Sequence, residues 1–312
     1  DVPKNCQQAL TSAKYPERVS LRAYHPESTA TTQQITRLAK LINESTKPVL
    51  YAGGGVISSG AADDVAKLAQ RAQIPVTTTL MGLGSFDEHD PLALGLSGMH
   101  GSAAANWAIR DADLIIALGV RFSDRVTAKL SEYAKNAKLI HVDCDPASIG
   151  KNVKVDLGIV ADVKDVLTTV SSRIKAADHT DWLQCIAKWK KEKPLSYKQM
   201  HSAVIMPQAV VEAVDKATDG TAVVVTDVGQ NQMWSAQHFR HSMPRHFLSS
   251  GGMGTMGFGI PAAIGAAFTG ADGRVVAILG DGGAQMTFEE VVVAVEHKLP
   301  VTFVVINNGC LG

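Results

Sequence analysis

The chain has 312 residues, 46% of them hydrophobic, and its 30 basic residues are balanced by 30 acidic ones. That length exceeds one ordinary domain and supplies apolar side chains for two cores, while a net charge of zero excludes nucleic acid as the main partner. Apolar runs such as 301–306 are strand-sized and far short of a bilayer span, and the four scattered cysteines (Cys6, Cys144, Cys185, Cys310) form no CxxC pair, so a cytoplasmic protein without disulfides or membrane contact is expected.

Residues 1–30 carry Pro3, Pro16 and Pro26 and little periodicity, and read as the tail of a preceding domain plus a linker. Both ends look like edges of a longer protein. There is no initiator Met, and the last strand would normally lead into a helix. From Thr31 to residue 177, helical and strand-like stretches alternate: amphipathic TTQQITRLAKLINES, apolar PVLYAGG, helical AADDVAKLAQRAQ, then IPVTTTL, SAAANWAIRDA, DLIIALG, AKLIHVD and DVKDVLTTVSSRIKAA. Continuous apolar strands between helices predict a parallel sheet covered on both faces. Residues 178–204 predict a charged linker helix with Trp182 and Trp189 on one seam, bridging two domains.

A second α/β unit, residues 205–312, begins with helix PQAVVEAVDKA and strand TAVVVTD. A helix near NQMWSAQHF, strand RHFLSS, small-residue helix TMGFGIPAAIGAAF, strand RVVAILG, helix TFEEVVVAVEHK and strand VTFVVIN follow. The fold class is therefore α/β, two doubly wound parallel-sheet domains. The run LGDGGAQMTFEE sets Asp281 between glycines at the end of a buried strand, where the simplest reading is a tight turn. A strand-helix-strand crossover over 274–308 brings Asn307 and Asn308 to the same sheet edge, the edge where such sheets bind ligands. A carboxylate, an amide oxygen and a backbone carbonyl suit Mg²⁺. Gly280, Gly282 and Gly283 let a diphosphate approach the backbone, and the helix start beyond them supplies free N–H groups. Asn-Gly at 308–309 alternatively signals a hairpin turn.

In the first unit Gly53, Gly54 and Gly55 follow a strand, without a full GxGxxG. Arg121 and Arg125 offer forked N–H donors, and Asp143 and Asp162 stand where acids bind a ribose or adenine edge. Each has a plainer alternative: Asp143 and Asp145 capping the turn before Pro146, Arg121 with Asp124 as a surface pair, His100 as a core histidine.

GDG followed by NN resembles the metal-diphosphate motif of thiamine diphosphate enzymes. That resemblance implies that Val228, Gly229, Gln230 and Asn231 meet the diphosphate, with Asn231 standing where the family usually has His. It implies that Gly254 and Met256 lie beside the cofactor, Met256 wedging its two rings into a bent shape, and that Asp281, Asn308 and the Cys310 carbonyl bind the metal. Together with TTTLMGLGSF, GMHG, RFSDRVT and GQNQMW, almost the whole chain closely resembles the catalytic large subunit of acetohydroxyacid (acetolactate) synthases.

By that resemblance the first unit binds FAD in a structural role, through Gly53, Gly54, Gly55, Thr79, Leu80, Met99, His100, Gly119, Arg121, Arg125, Val126, Asp143 and Asp162. Ser123 replaces the family's usual acid. The activity implied is decarboxylation of pyruvate and carboligation to a second 2-keto acid in branched-chain amino acid biosynthesis, by a homodimer or tetramer with a possible regulatory subunit. The catalytic glutamate falls outside this chain, so the 312-residue chain alone is expected to be inactive. Another thiamine carboligase or oxidase, such as a glyoxylate carboligase, and a non-catalytic cofactor-binding fragment remain as alternatives.

Overall fold

The computed structural model describes residues 2–12, 14, 15, 17, 28–199, 204–270 and 274–311. Of the two expected linkers, Pro16, Pro26 and residues 200–203 lie outside those residues. In the described part of the first, Lys4–Gln8 is a short exposed helix.

The first unit is a wholly parallel six-stranded sheet: β1 (Pro48–Ala52), β2 (Val76–Thr78), β3 (Ala93–Leu96), β4 (Leu114–Leu118), β5 (Lys138–Asp143) and β6 (Leu157–Val160), in the order β3-β2-β1-β4-β5-β6. Every residue of β1 and β4 is buried, as a central strand covered on both faces requires. Alternate strand residues feed two cores. Leu50, Leu114 and Ile116 pack under the helices Thr32–Glu44, Ala62–Ala72 and Val163–Ser171; Val49, Tyr51 and Ile115 pack under Ala103–Asp111 and Thr180–Glu192. Each buried Leu, Ile or Val contributes about 1.5–3 kcal/mol relative to exposure. The helix Thr180–Glu192, expected to bridge domains, lies against this sheet. Buried Trp182 donates from Nε1 to the Pro48 carbonyl at 3.1 Å, and Lys190 Nζ donates to the Pro91 carbonyl at 3.0 Å.

The second unit is a parallel four-stranded sheet of β7 (Val223–Thr226), β8 (Phe247–Leu248), β9 (Val275–Gly280) and β10 (Val301–Ile306), in the order β10-β9-β7-β8. The fold class read from the sequence holds for both units. Several local expectations do not. Strands β3 and β6 were not anticipated, because each is four residues long with a glycine inside, so no apolar run marks it. The small-residue helix begins at Gly259 instead of 255. The stretch 287–298 divides into a single 3₁₀ turn, Phe288–Glu290, and the helix Val291–Glu296.

The two units share a core. Leu83 and Leu96 of the first pack with Val211, Val224, Phe239 and Phe247 of the second. Beside them, Glu88 and His241 exchange two bonds: the His241 N–H donates to the Glu88 carboxylate at 2.9 Å and the Glu88 N–H to the His241 carbonyl at 3.2 Å.

Candidate active site

From β7 the chain runs out to β8, then returns past β7 to β9 and β10. The direction of winding therefore reverses between β7 and β9, the position where open α/β sheets bind ligands beyond their carboxyl ends. Residues 227–231 leave β7 there and residues 280–283 leave β9. The register Ile306↔Gly280 brings the end of β10 alongside. These segments surround a cavity of about 120 Å³ that opens to solvent. Val228, Gly229, Gln230, Asn231, Gly280, Asp281, Gly282, Gly283, Asn308, Cys310 and Met256 all line it. The structure thus gathers these sequence-predicted residues from three strand ends and one loop around a single space.

Asp281 is not in a tight turn; it is the first residue of the helix Asp281–Met286, which continues directly from β9. A carboxylate in a first turn favours the helix N-terminus. Among the described residues the Asp281 carboxylate has no hydrogen-bond or ion-pair partner. Asn307 and Asn308 make two successive side-chain turns, Asn308 Oδ1 accepting the Cys310 N–H at 3.1 Å and Asn307 Oδ1 the Gly309 N–H at 3.2 Å. Gly229, at φ 108°, precedes the helix Gln230–His238 and takes a conformation that side chains resist. Within that helix Asn231 is buried, and its Nδ2 donates to the Val228 carbonyl at 3.3 Å. Its Oδ1 is buried without a partner. A buried acceptor left bare in a cavity wall is a demand for a donor, which bound water or ligand would meet.

Met256 closes the cavity from the loop before the helix Gly259–Phe268: a Cβ on Gly282 would stand 3.7 Å from Met256 Cε. Gly254 is set back, outside the cavity wall, its own Cβ position 3.9 Å from Val228 Cγ1. Sequence reasoning missed Trp234, Ile306 and Leu311, which also line the cavity. Trp234 follows Gln230 by one helical turn, so helical spacing could have found it. Leu311 carried no signal. Among the described residues no cluster of three or more His, Cys, Asp or Glu is placed to hold a metal. A site at Asp281 would therefore depend on amide, carbonyl and ligand oxygens, as Mg²⁺ sites on phosphates do.

The first sheet reverses its winding between β1 and β4. Gly53, Gly54 and Gly55 leave β1 there and Gly119 leaves β4. Two of these glycines are required by the protein's own packing: a Cβ would lie 2.0 Å from the Gly119 oxygen on Gly53, and 2.6 Å from Gly119 Cα on Gly55. Thr79 and Leu80 follow β2, Met99 and His100 follow β3, Asp143 ends β5, and Asp162 follows β6 and caps the helix Val163–Ser171. Six strands at about 4.8 Å spacing spread these groups along roughly 24 Å of sheet edge, the reach of an extended dinucleotide.

Arg125 and Val126 lie in the short helix Asp124–Thr127, where the Arg125 carbonyl accepts the Met99 N–H at 2.8 Å. Arg121 reaches toward the second unit, its Nη2 3.9 Å from where a Cβ on Gly252 would be. Among the described residues Arg121 and Arg125 enter no ion pair, so the Arg121–Asp124 pair does not form. The turn-capping alternative for Asp143 is present, since its Oδ1 accepts the Asp145 N–H at 2.9 Å. Beneath it, buried His141 bonds the Val120 carbonyl at 2.8 Å; burial holds its imidazole below the usual value against the opposing pull of Asp143. His100 is only half-buried, and its carbonyl accepts Gln237 Nε2 from the second unit at 2.8 Å.

Both units match known families of one class. Residues 35–170 match the thiamine pyrophosphate enzyme central domain, and residues 227–312 the thiamine pyrophosphate enzyme C-terminal TPP binding domain. Within that class the chain belongs to the acetolactate synthase large-subunit family. It is 44% identical to a probable acetolactate synthase large subunit of Methanocaldococcus jannaschii over all of this chain and 55% of the relative. It is 43% identical to the acetolactate synthase large subunit of Haemophilus influenzae over 96% of this chain and 53% of the relative. To acetolactate synthase 1, chloroplastic, of Zea mays it is 43% identical over all of this chain and 50% of the relative. The chain spans about half the length of these relatives. Among the described residues no helix is long and apolar enough to cross a membrane.

Proposed function

We propose that this chain holds the cofactors of an acetolactate synthase, which decarboxylates pyruvate and joins the two-carbon unit to a second 2-keto acid. The observation that carries the reading is the convergence of Asp281, Asn308, residues 228–231 and Met256 on one cavity at the winding reversal of the second sheet. The residues present fit thiamine diphosphate with Mg²⁺. Asp281, the Asn308 amide and the Cys310 carbonyl offer hard oxygen donors. The starts of the helices Gln230–His238 and Asp281–Met286 offer N–H groups to a diphosphate, and the bare Asn231 Oδ1 has room for a donor. Thiamine diphosphate, when bound, supplies the electron sink for the decarboxylation; the protein supplies binding, orientation and charge placement. Met256, packed toward Gly282 at the start of the helix Asp281–Met286, would brace the cofactor's shape.

The edge of the first sheet fits FAD in a structural role. Unpaired Arg121 and Arg125 suit a pyrophosphate, and the exposed Met81 and Met99 offer apolar cover to a flat ring. The apolar face made by Met286, Phe288, Val292 and Val295, each more than half exposed, supports pairing with a second copy next to the cavity. The large-subunit names of the relatives support a regulatory partner subunit, and the bacterial relative from Haemophilus influenzae supports a cytoplasmic site in a bacterial cell. The test is calorimetry on the full-length protein with thiamine diphosphate, with and without Mg²⁺, followed by product analysis with pyruvate alone and with glyoxylate. Mg²⁺-dependent binding and acetolactate as product are expected, with flavin absorbance in the purified protein. Binding without Mg²⁺ dependence, or a glyoxylate-derived product alone, refutes the reading.

A further inference from the structure

Asp227 directly follows β7 and does not line the cavity, yet the residue is 1% exposed and its carboxylate touches three segments of the site. Oδ1 accepts the N–H of Val228 at 2.9 Å and of Gly257 at 3.2 Å, and Oδ2 accepts the N–H of Gly259 at 3.0 Å. A Cβ on Gly283 would stand 2.5 Å from Oδ1, so the start of the helix Asp281–Met286 is packed directly on the carboxylate. Among the described residues no cation pairs with it. A buried charge without a counter-ion is unfavourable unless hydrogen bonds and local dipoles offset it. Here three N–H groups and the start of the helix Gly259–Phe268 do so. Both oxygens must accept, which an ionised carboxylate does and an amide does not, because the NH₂ of Asn would face an N–H.

Met256 lies immediately before the two clamped amides. From the other side Thr287 Oγ1 donates to the Gly257 carbonyl at 2.9 Å. Asp227 therefore fastens the Met256 loop to the loop that opens at Val228. We infer that Asp227 is a positioning residue that sets Met256 against the cofactor cavity by clamping the backbone of 257–259. The inference rests on the reading of that cavity as a thiamine diphosphate site.

The test uses the full-length protein with Asp227→Asn, Asp227→Ser as a second variant, and Val225→Ala as a control that weakens the same strand. Amide hydrogen exchange at Gly257 and Gly259 in the cofactor-free protein should accelerate about tenfold or more in the Asp227 variants and not in the control. With thiamine diphosphate and Mg²⁺, kcat for pyruvate should fall at least about tenfold, while the calorimetric dissociation constant moves less than about threefold. Unchanged exchange at both amides overturns the clamp. So does a parallel loss of kcat, affinity and Tm like that of Val225→Ala, which marks Asp227 as merely structural. If neither variant folds, the wild-type protein decides: the clamp requires these two amides to be as protected as those of β9. Failure of the wild-type protein to bind thiamine diphosphate refutes the functional reading, and the exchange comparison still decides whether Asp227 holds the loop.

Discussion

The two sheets carry their ligand-facing loops at equivalent places, the reversal of winding, but spend their glycines differently. In the first unit Gly53, Gly55 and Gly119 lie backbone against backbone, each filling the space a side chain on the other would need. In the second, Gly282 faces Leu311 and Met256 across the cavity, and Gly283 faces the Asp227 carboxylate. A glycine after a parallel strand therefore has two meanings that the same letters encode. It either closes a gap within the protein or keeps room for side chains and ligand around a site.

The sharpest break of that comparison is Gly53→Ala. Its Cβ would stand 2.0 Å from a backbone oxygen that cannot step aside, so the β1–β4 junction must open. A loss of about 3 kcal/mol or more is expected from denaturant unfolding, the upper range for overpacking. In the second unit Asp281→Ala should do the opposite kind of damage. It leaves the fold intact, as judged by Tm, and weakens Mg²⁺-dependent thiamine diphosphate binding about a hundredfold, equivalent to about 2.7 kcal/mol. Equal affinity in the variant would separate the cavity from the metal.

The contrast also explains what the sequence could reveal. The inner strands of both sheets were legible, since PVLYA, LIIAL and VVAIL are unbroken apolar runs that only a doubly covered sheet uses. Strands β3 and β6 were hidden because a glycine replaces one side chain in four. The cavity was legible wherever its residues sit just past those runs, as with Asp281 and Asn308. Asp227 also follows such a run, yet nothing local marks it. Its partners Gly257 and Gly259 are about thirty residues away, and glycine amides leave no trace in the sequence. The seam between the units was invisible for the same reason: Leu83 and Leu96 read as ordinary loop residues until the second unit covers them.

That seam holds a pair whose titrations oppose one another. Burial lifts the Glu88 carboxyl to about 8, against the bond from the His241 N–H, with Asp87 and Asp215 adding to the rise. Burial drops the His241 imidazole to about 4, against its bond to the Ser235 carbonyl and the pull of Asp215. The proton on Glu88 stabilises the folded state fully below the ordinary value of 4.5, and this contribution is lost as pH rises through about 8. His241 has the reverse sign: its contribution is present above the ordinary value of 6.5 and lost as pH falls through about 4. Between 4.5 and 6.5 the two slopes cancel. From 6.5 to 8 only Glu88 acts, so stability should fall by about 1.4 kcal/mol per pH unit, about 2 kcal/mol in all. Denaturant unfolding of Glu88→Gln across this window should lose that slope. A wild-type stability flat from pH 6.5 to 8 would mean that the seam admits water.

The smallest effect sharpens the glycine comparison within one helix. In Gly259–Phe268, Gly265 is exposed and a Cβ there meets nothing within 4 Å. Gly265→Ala should stabilise by about 0.5–1 kcal/mol, because alanine loses less backbone freedom in a helix. At the other end of the same helix, a Cβ on Gly259 would lie 2.4 Å from Leu279 Cδ2 and 3.1 Å from the Asp227 amide nitrogen. The leucine tip can move, but the backbone nitrogen belongs to the loop that Asp227 clamps. Gly259→Ala should therefore reverse the sign, losing a similar amount of stability and loosening the Met256 loop, which unfolding curves on the paired variants would show. Equal gains at both positions would show that the loop before this helix yields freely, and the distinction between packing glycines and site glycines would then rest on the first sheet alone.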